Sequence, residues 1–157
     1  MNKQDIIDQL LNNVREEIDK AKEIFENTKE FASEDDMQAE SKWDTRSTEA
    51  KFLASGQQQR LEELKQELKL LEDIEIPETT DTVSIGSLVK IGFNGTIRNY
   101  FMSPTAGGTQ IKSGDEAVLV ISVFSPLGAE AIGLEAGEEF EVETPKENRI
   151  YKVEEII

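Results

Sequence analysis

The stretch IDQLLNNVREEIDKAKEIF (residues 7–25) places apolar or small residues at alternating steps of four and three: Ile7, Leu11, Val14, Ile18, Ala21 and Phe25, continued by Thr28 and Ala32. This is the spacing of a coiled-coil seam. The same spacing returns at Ala50, Ala54, Gln57, Leu61, Leu64, Leu68 and Leu71, with Glu, Lys and Arg on the other faces. Two long helices follow. A helix of about 29 residues at roughly 1.5 Å per residue is a rod about 40 Å long, too narrow to bury its stripe alone. The second seam supplies the partner. Residues 33–48 lack apolar periodicity but hold helix-start signals, Ser33 before Asp36 and Ser41 before Asp44. The spacing therefore predicts an antiparallel coiled-coil hairpin over 1–76, with an acidic tip near 34–48. A coiled coil between separate chains is the alternative.

Working outward, IEIPETTDT (residues 74–82) stops the second helix through Pro77 and reads as a linker. Beyond it Gly and β-branched residues rise, and strands are expected at 88–91, 96–102, 117–123, 139–144 and 149–156. SPTAGGTQIKSGDEAV (residues 103–118) has two Gly turns around a short strand, and its spacing is not that of a phosphate-binding loop. SPLGAEAIG (residues 125–133) reads as a short helix capped by Ser125, with Pro126 in the first helical position and Gly133 at its end. The expected fold class is α+β: the hairpin, then a small antiparallel-sheet domain over 77–157.

Acidic residues outnumber basic ones 33 to 17, for a net charge of −16, and a division at Pro77 leaves −9 before it and −7 after. Such a chain lacks the cations that displace counterions from phosphates, so independent DNA binding is not expected. A basic protein surface or a metal ion is the better partner. No run approaches the roughly 20 apolar residues of a membrane span, and MNKQDIIDQLL lacks the order of a secretory signal, so no membrane association and a cytoplasmic location are expected. With no Cys and no His, thiolate and imidazole chemistry is excluded, and carboxylates, Lys, Arg and hydroxyls remain.

The order of parts, together with ISVFSPLGAEAIGLEAGEEFEV (residues 121–142), resembles the Gre-type transcript cleavage factors of bacteria. The run is similar to the family's I-S-V-x-S-P-[IL]-[AG]-x-x-L-[IL]-G signature, with a turn and an acidic-apolar strand behind it. The resemblance implies an FKBP-like fold for 78–157. It also implies an accessory of RNA polymerase, not an enzyme in its own right: the globular domain docks on the rim of the secondary channel, and the coiled-coil tip enters to stimulate cleavage of backtracked RNA. The nascent RNA 3′ end is then met only inside the polymerase complex. Val123, Phe124, Ser125, Pro126 and Leu127 carry over as the docking patch. Alternation along a strand turns either Val123 or Phe124 away from the core. Prolyl isomerisation is not expected, since that activity needs an aromatic-lined pocket and this half holds few aromatics.

At the tip, the stretch ESKWDTRSTEA (residues 40–50) departs from the family spacing. When Arg60, Leu61, Leu64 and Leu68 are aligned on the shared second-helix pattern, the first family acid falls on Glu40 and the second on Trp43, beside Asp44. Glu40 and Asp44 are the candidate catalytic and metal-holding carboxylates. On a helix they lie one turn apart, with Asp36 extending the face backwards. Magnesium takes one or two carboxylates together with phosphate oxygens, so the expected cofactor is Mg2+ shared with the polymerase. Clustered tip charges also have a plainer reading, as solvated groups or helix caps. Lys42 and Arg46 either pair with these acids or contact polymerase and RNA, and Trp43 is either a docking anchor or a lid on the end of the hairpin.

Overall fold

The computed structural model describes the backbone of residues 2–38 and 45–157, and the side chains of residues 2–27 and 55–157. Helix α1 spans Lys3–Gln38 and helix α2 spans Thr45–Glu72. Asn2 caps α1: its side-chain oxygen accepts from the Gln4 amide at 2.9 Å, with Asp5 in the first turn where the helix dipole favours an anion. The helices pair across the chain. Glu17, well inside α1, meets Arg60, well inside α2, at 3.3 Å, so the chain has doubled back and the pair is antiparallel.

The seam follows the periodicity with one exchange. Ile7, Val14, Ile18 and Ala21 are buried on α1, and Leu61, Leu64 and Leu71 on α2, while Gln57 and Leu68 are half-buried. At the start of α1 it is Leu10, not Leu11, that is fully covered, and Ile6 is buried with it. A two-position seam does not account for Ile6, Ile7 and Leu10 being buried together. The reason lies in how the chain divides: Met1–Leu11 and Leu70–Ile157 cluster as one compact unit, and Asn12–Lys69 as another. The first turns of α1 thus serve the sheet-containing unit, where Gln9 Nε2 reaches the Lys112 carbonyl at 3.5 Å.

In that unit six strands form one sheet: β1 Leu88–Phe93, β2 Thr96–Ser103, β3 Gln110–Ser113, β4 Glu116–Ser122, β5 Glu139–Glu143 and β6 Asn148–Ile156. A short helix, α3 (Pro126–Ala131), follows β4. The order across the sheet is β3-β4-β2-β1-β6-β5. Four ladders are antiparallel, whereas β2 and β4 run parallel from Asn99↔Val118 to Ser103↔Ser122, with β3 as the intervening edge strand. β1 turns into β2 through Asn94-Gly95, both at positive φ (51° and 81°), which is the two-residue turn whose twist suits a hairpin.

Tyr100, Phe101, Met102 and Ser103 are buried in succession, so both faces of β2 are covered. On one face Val89, Ile91, Tyr100, Met102, Phe140, Val142, Tyr151 and Val153 form a core with Ala131 of α3. Full burial of each such aliphatic or aromatic side chain stabilises by about 1.5–3 kcal/mol relative to exposure, enough for this small unit to hold a defined sheet. Among the described residues no helix is long and apolar enough to cross a membrane.

Candidate functional site

The corner between β4 and α3 is built by a short polar relay. The Ser125 hydroxyl donates to the Ser122 carbonyl at 2.6 Å and accepts from the Gly128 amide at 3.2 Å, while the Ser122 hydroxyl accepts from the Phe124 amide at 3.2 Å. Ser125 is thus the N-cap and Pro126 occupies the first turn, where its missing N–H leaves nothing unsatisfied. A Cβ added at Gly128 would stand 2.1 Å from the Ser122 carbonyl oxygen and 3.0 Å from the Val123 Cα. Only glycine lets the helix lie this close to the strand end. Gly133, at φ +85°, follows the helix as its stop.

This geometry splits the five expected docking residues. Val123 and Leu127 pack against the core, Ser125 is spent on the cap, and Phe124 and Pro126 face outward. Phe124 is 81% exposed, the most exposed large apolar side chain among the described residues. Of the two strand-end candidates it is Phe124 that presents a free ring, because the Val123 amide still bonds to the Ser103 carbonyl at 2.9 Å and keeps its side chain in register with the sheet.

Val123 also lines a broad apolar groove of about 1060 Å³, together with Leu70, Ile74, Pro77, Ile85 and Ile132. Leu70, Ile85 and Ile132 are each more than a third exposed. Asp73, Glu75 and Glu78 join them, so the walls carry negative charge over an apolar floor. Sequence reasoning treated 74–82 as a plain linker. The signal that marks this groove is Ile74 and Ile76, apolar residues in a segment with no seam to fill.

Glu40, Lys42, Trp43 and Asp44 lie outside the described residues. Asp36 and Arg46 fall within α1 and α2, but their side chains lie outside the described residues too. Among the described residues no three acidic side chains gather into a metal-holding cluster. A second feature escaped sequence reasoning. Phe93, Tyr100, Phe140 and Tyr151, scattered over nearly sixty positions, converge at one end of the core-facing side of the sheet, so the domain does assemble an aromatic cluster. The expectation of too few aromatics for such a wall is corrected by the β1-β6-β5 neighbourhood, which sets Phe140 opposite Tyr151.

The family model for the C-terminal domain of the transcription elongation factors GreA/GreB matches residues 78–157, just over half of the chain. Among solved structures, GreA factor homolog 1 (Gfh1) of Thermus thermophilus is 20% identical, with 98% of this chain and 93% of that chain covered and a TM-score of 0.38. Gfh1 of Thermus aquaticus is 19% identical, with 98% and 92% covered and a TM-score of 0.40. A GreA/GreB elongation factor from Nitrosomonas europaea is 20% identical over 65% of this chain and 91% of that one, with a TM-score of 0.37. No curated protein matches the chain. On the extent of the family match, the chain belongs to the GreA/GreB family of transcription elongation factors.

Proposed function

We propose that this protein is an accessory of bacterial RNA polymerase that docks through the β4–α3 corner and sends its hairpin tip into the secondary channel to stimulate cleavage of backtracked RNA. The observation that carries the docking half is Phe124, whose ring stands 81% exposed on a corner fixed by Ser122, Ser125 and Gly128. A soluble unit gains nothing from leaving that ring in water. Covering it on a partner contributes about 1.5–3 kcal/mol, and the acidic surroundings favour a partner with basic residues.

The tip half rests on chemistry. Glu40 and Asp44 offer hard carboxylate oxygens, the donor type that suits Mg2+, and with no His or Cys in the chain oxygen donors are what it has to give. When bound between tip and polymerase, the ion supplies water activation and charge stabilisation at the phosphodiester. Asp36 sits on the same approach to the tip, while Lys42, Trp43 and Arg46 supply positive and aromatic contacts to polymerase or RNA.

A second reading is favoured by the slipped spacing that puts Trp43 where the family has an acid: a regulator that occupies the channel without stimulating cleavage. One experiment separates them. The protein is added with magnesium to a stalled, backtracked elongation complex, alongside Glu40→Ala and Asp44→Ala, while binding is followed separately. Transcript shortening lost in both variants supports cleavage stimulation; binding without shortening supports occlusion; no binding by the unaltered protein overturns both.

A further inference from the structure

On the core-facing side of the sheet, Phe93, Asn94, Arg98, Tyr100, Arg149 and Tyr151 line a pocket of about 230 Å³. At about 30 Å³ per water this is the room of seven or eight waters, enough for one tetrahedral oxyanion and the carbon it is bonded to. Two guanidinium groups in one small pocket are unexpected in a chain of net charge −16. The strand register explains their meeting: Arg98 stands opposite Ile91, Arg149 opposite Val142, and Tyr151 opposite Phe140, all facing one side.

One of the two cations is held in place. Arg149 lies over the Phe93 ring at 5.2 Å and its Nε donates to Glu147 at 3.2 Å, which fixes the plane of the fork. The Phe93 ring packs at 4.9 Å against Tyr151, which packs at 5.5 Å on Phe140, so the platform beneath is a continuous aromatic stack. Arg98 lines the pocket beside Tyr100 and has no carboxylate partner among the described residues. With 33 acidic residues in the chain, an arginine facing a pocket without one is a donor left for something else. Burial keeps the Tyr100 phenol above its usual ionisation range, so it stays a neutral donor beside Arg98.

We infer that this pocket binds the phosphate group of a small phosphate monoester, held between Arg98 and Arg149 with the tyrosine hydroxyls as further donors. Phosphate is favoured over carboxylate by count. A carboxylate has two oxygens and is satisfied by one fork, whereas a phosphate monoester offers three and a charge of about −1.5 to −2 to two forks. The aromatic stack leaves no free ring face for a base to lie on, since Arg149 and Tyr151 already cover Phe93, so the recognition centres on the anion.

The test uses amide NMR spectra of the isotope-labelled full chain, titrated with inorganic phosphate and with glycerol phosphate at constant ionic strength, and with acetate as comparison. Expected are saturable shifts confined to the Asn94 turn, β2 around Arg98 and β6 around Arg149, with both phosphates binding at about millimolar concentration and acetate more weakly. Arg98→Gln and Arg149→Gln each weaken phosphate about tenfold or more, and Arg98→Lys falls between, since a point charge replaces a fork. Unchanged dispersion elsewhere in the spectrum shows that the variants fold. Shifts that scatter and fail to saturate, acetate binding as well as phosphate, glycerol phosphate failing to bind, or binding unchanged in both Gln variants would each overturn the inference.

Discussion

Replacing Gly128 by Ala sets two effects against each other, and the structure decides between them. In an ordinary helix the change stabilises by about 0.5–1 kcal/mol, because glycine loses more freedom on folding than alanine. Here the new methyl would sit 2.1 Å from the Ser122 carbonyl oxygen, 2.9 Å from its carbon and 3.0 Å from the Val123 Cα. All three are backbone atoms of β4 and its exit. They cannot swing aside as a side-chain tip does, so α3 must lift and stretch the Ser125–Gly128 bond of 3.2 Å. Overpacking of this kind costs about 1–3 kcal/mol, occasionally more, and with contacts this short to backbone atoms the cost lies in the upper part of that range, which leaves a net loss of about 1–2.5 kcal/mol. Gly56→Ala is the internal control: it lies in α2 with nothing within 4 Å of the added carbon, and should gain the propensity without the clash. The assay is urea unfolding of the full chain, read through near-ultraviolet tyrosine dichroism. Tyr100 and Tyr151, the only tyrosines, both lie in the sheet and therefore report on the unit that holds α3. A Gly128→Ala midpoint equal to or above that of the unaltered protein would refute the reasoning.

Other perturbations have equally definite outcomes. Phe124→Asp should weaken polymerase binding by about 2 kcal/mol, roughly thirtyfold, while stability moves by no more than about 0.5 kcal/mol because the ring is exposed; pull-down titration and thermal unfolding check the two halves. In the hairpin, Leu64→Ala removes a side chain that is 1% exposed and should cost about 2–5 kcal/mol, whereas Arg60→Ala, which breaks the half-exposed pair with Glu17, should cost no more than about 1 kcal/mol; helical dichroism against urea orders them. Burial raises the Tyr100 phenol above its ordinary value of 10.0, so the stability it contributes is complete below that pH and is lost as pH rises through the folded value. Alkaline unfolding should accordingly be less steep in Tyr100→Phe, and an unchanged slope would remove this residue from the account.

The seams were legible because a period near 3.5 leaves one physical solution for a polar-faced helix, and Ile18, Ala21, Leu61 and Leu64 are buried as the spacing requires. The Leu10-for-Leu11 exchange was not, since Ile6, Ile7, Leu10 and Leu11 are all apolar and only the neighbouring sheet decides which of them it covers. At the β4–α3 corner, Ser125, Pro126 and Gly133 announce cap, first turn and stop through local chemistry alone, and the short strand expected within 103–118 is β3. Gly128 looks like an ordinary helix residue until Ser122 is seen beneath it. Pairing partners are not local information either: nothing in residues 96–122 says that β2 and β4 run parallel, and the aromatic stack exists only because β6 lies between β1 and β5.

That last placement has a temporal side. β6, which follows the other five strands along the chain, is neither the edge of the sheet nor an addition to it; it joins β1 to β5, and the Ile157 amide closes on the Leu88 carbonyl at 2.7 Å. During synthesis the hairpin has both seams available early, whereas β1 waits with one flank open until β6 has been made. Nascent molecules would therefore pass through a stage with a paired hairpin and an incomplete sheet, and it is at this stage that chaperone capture should concentrate.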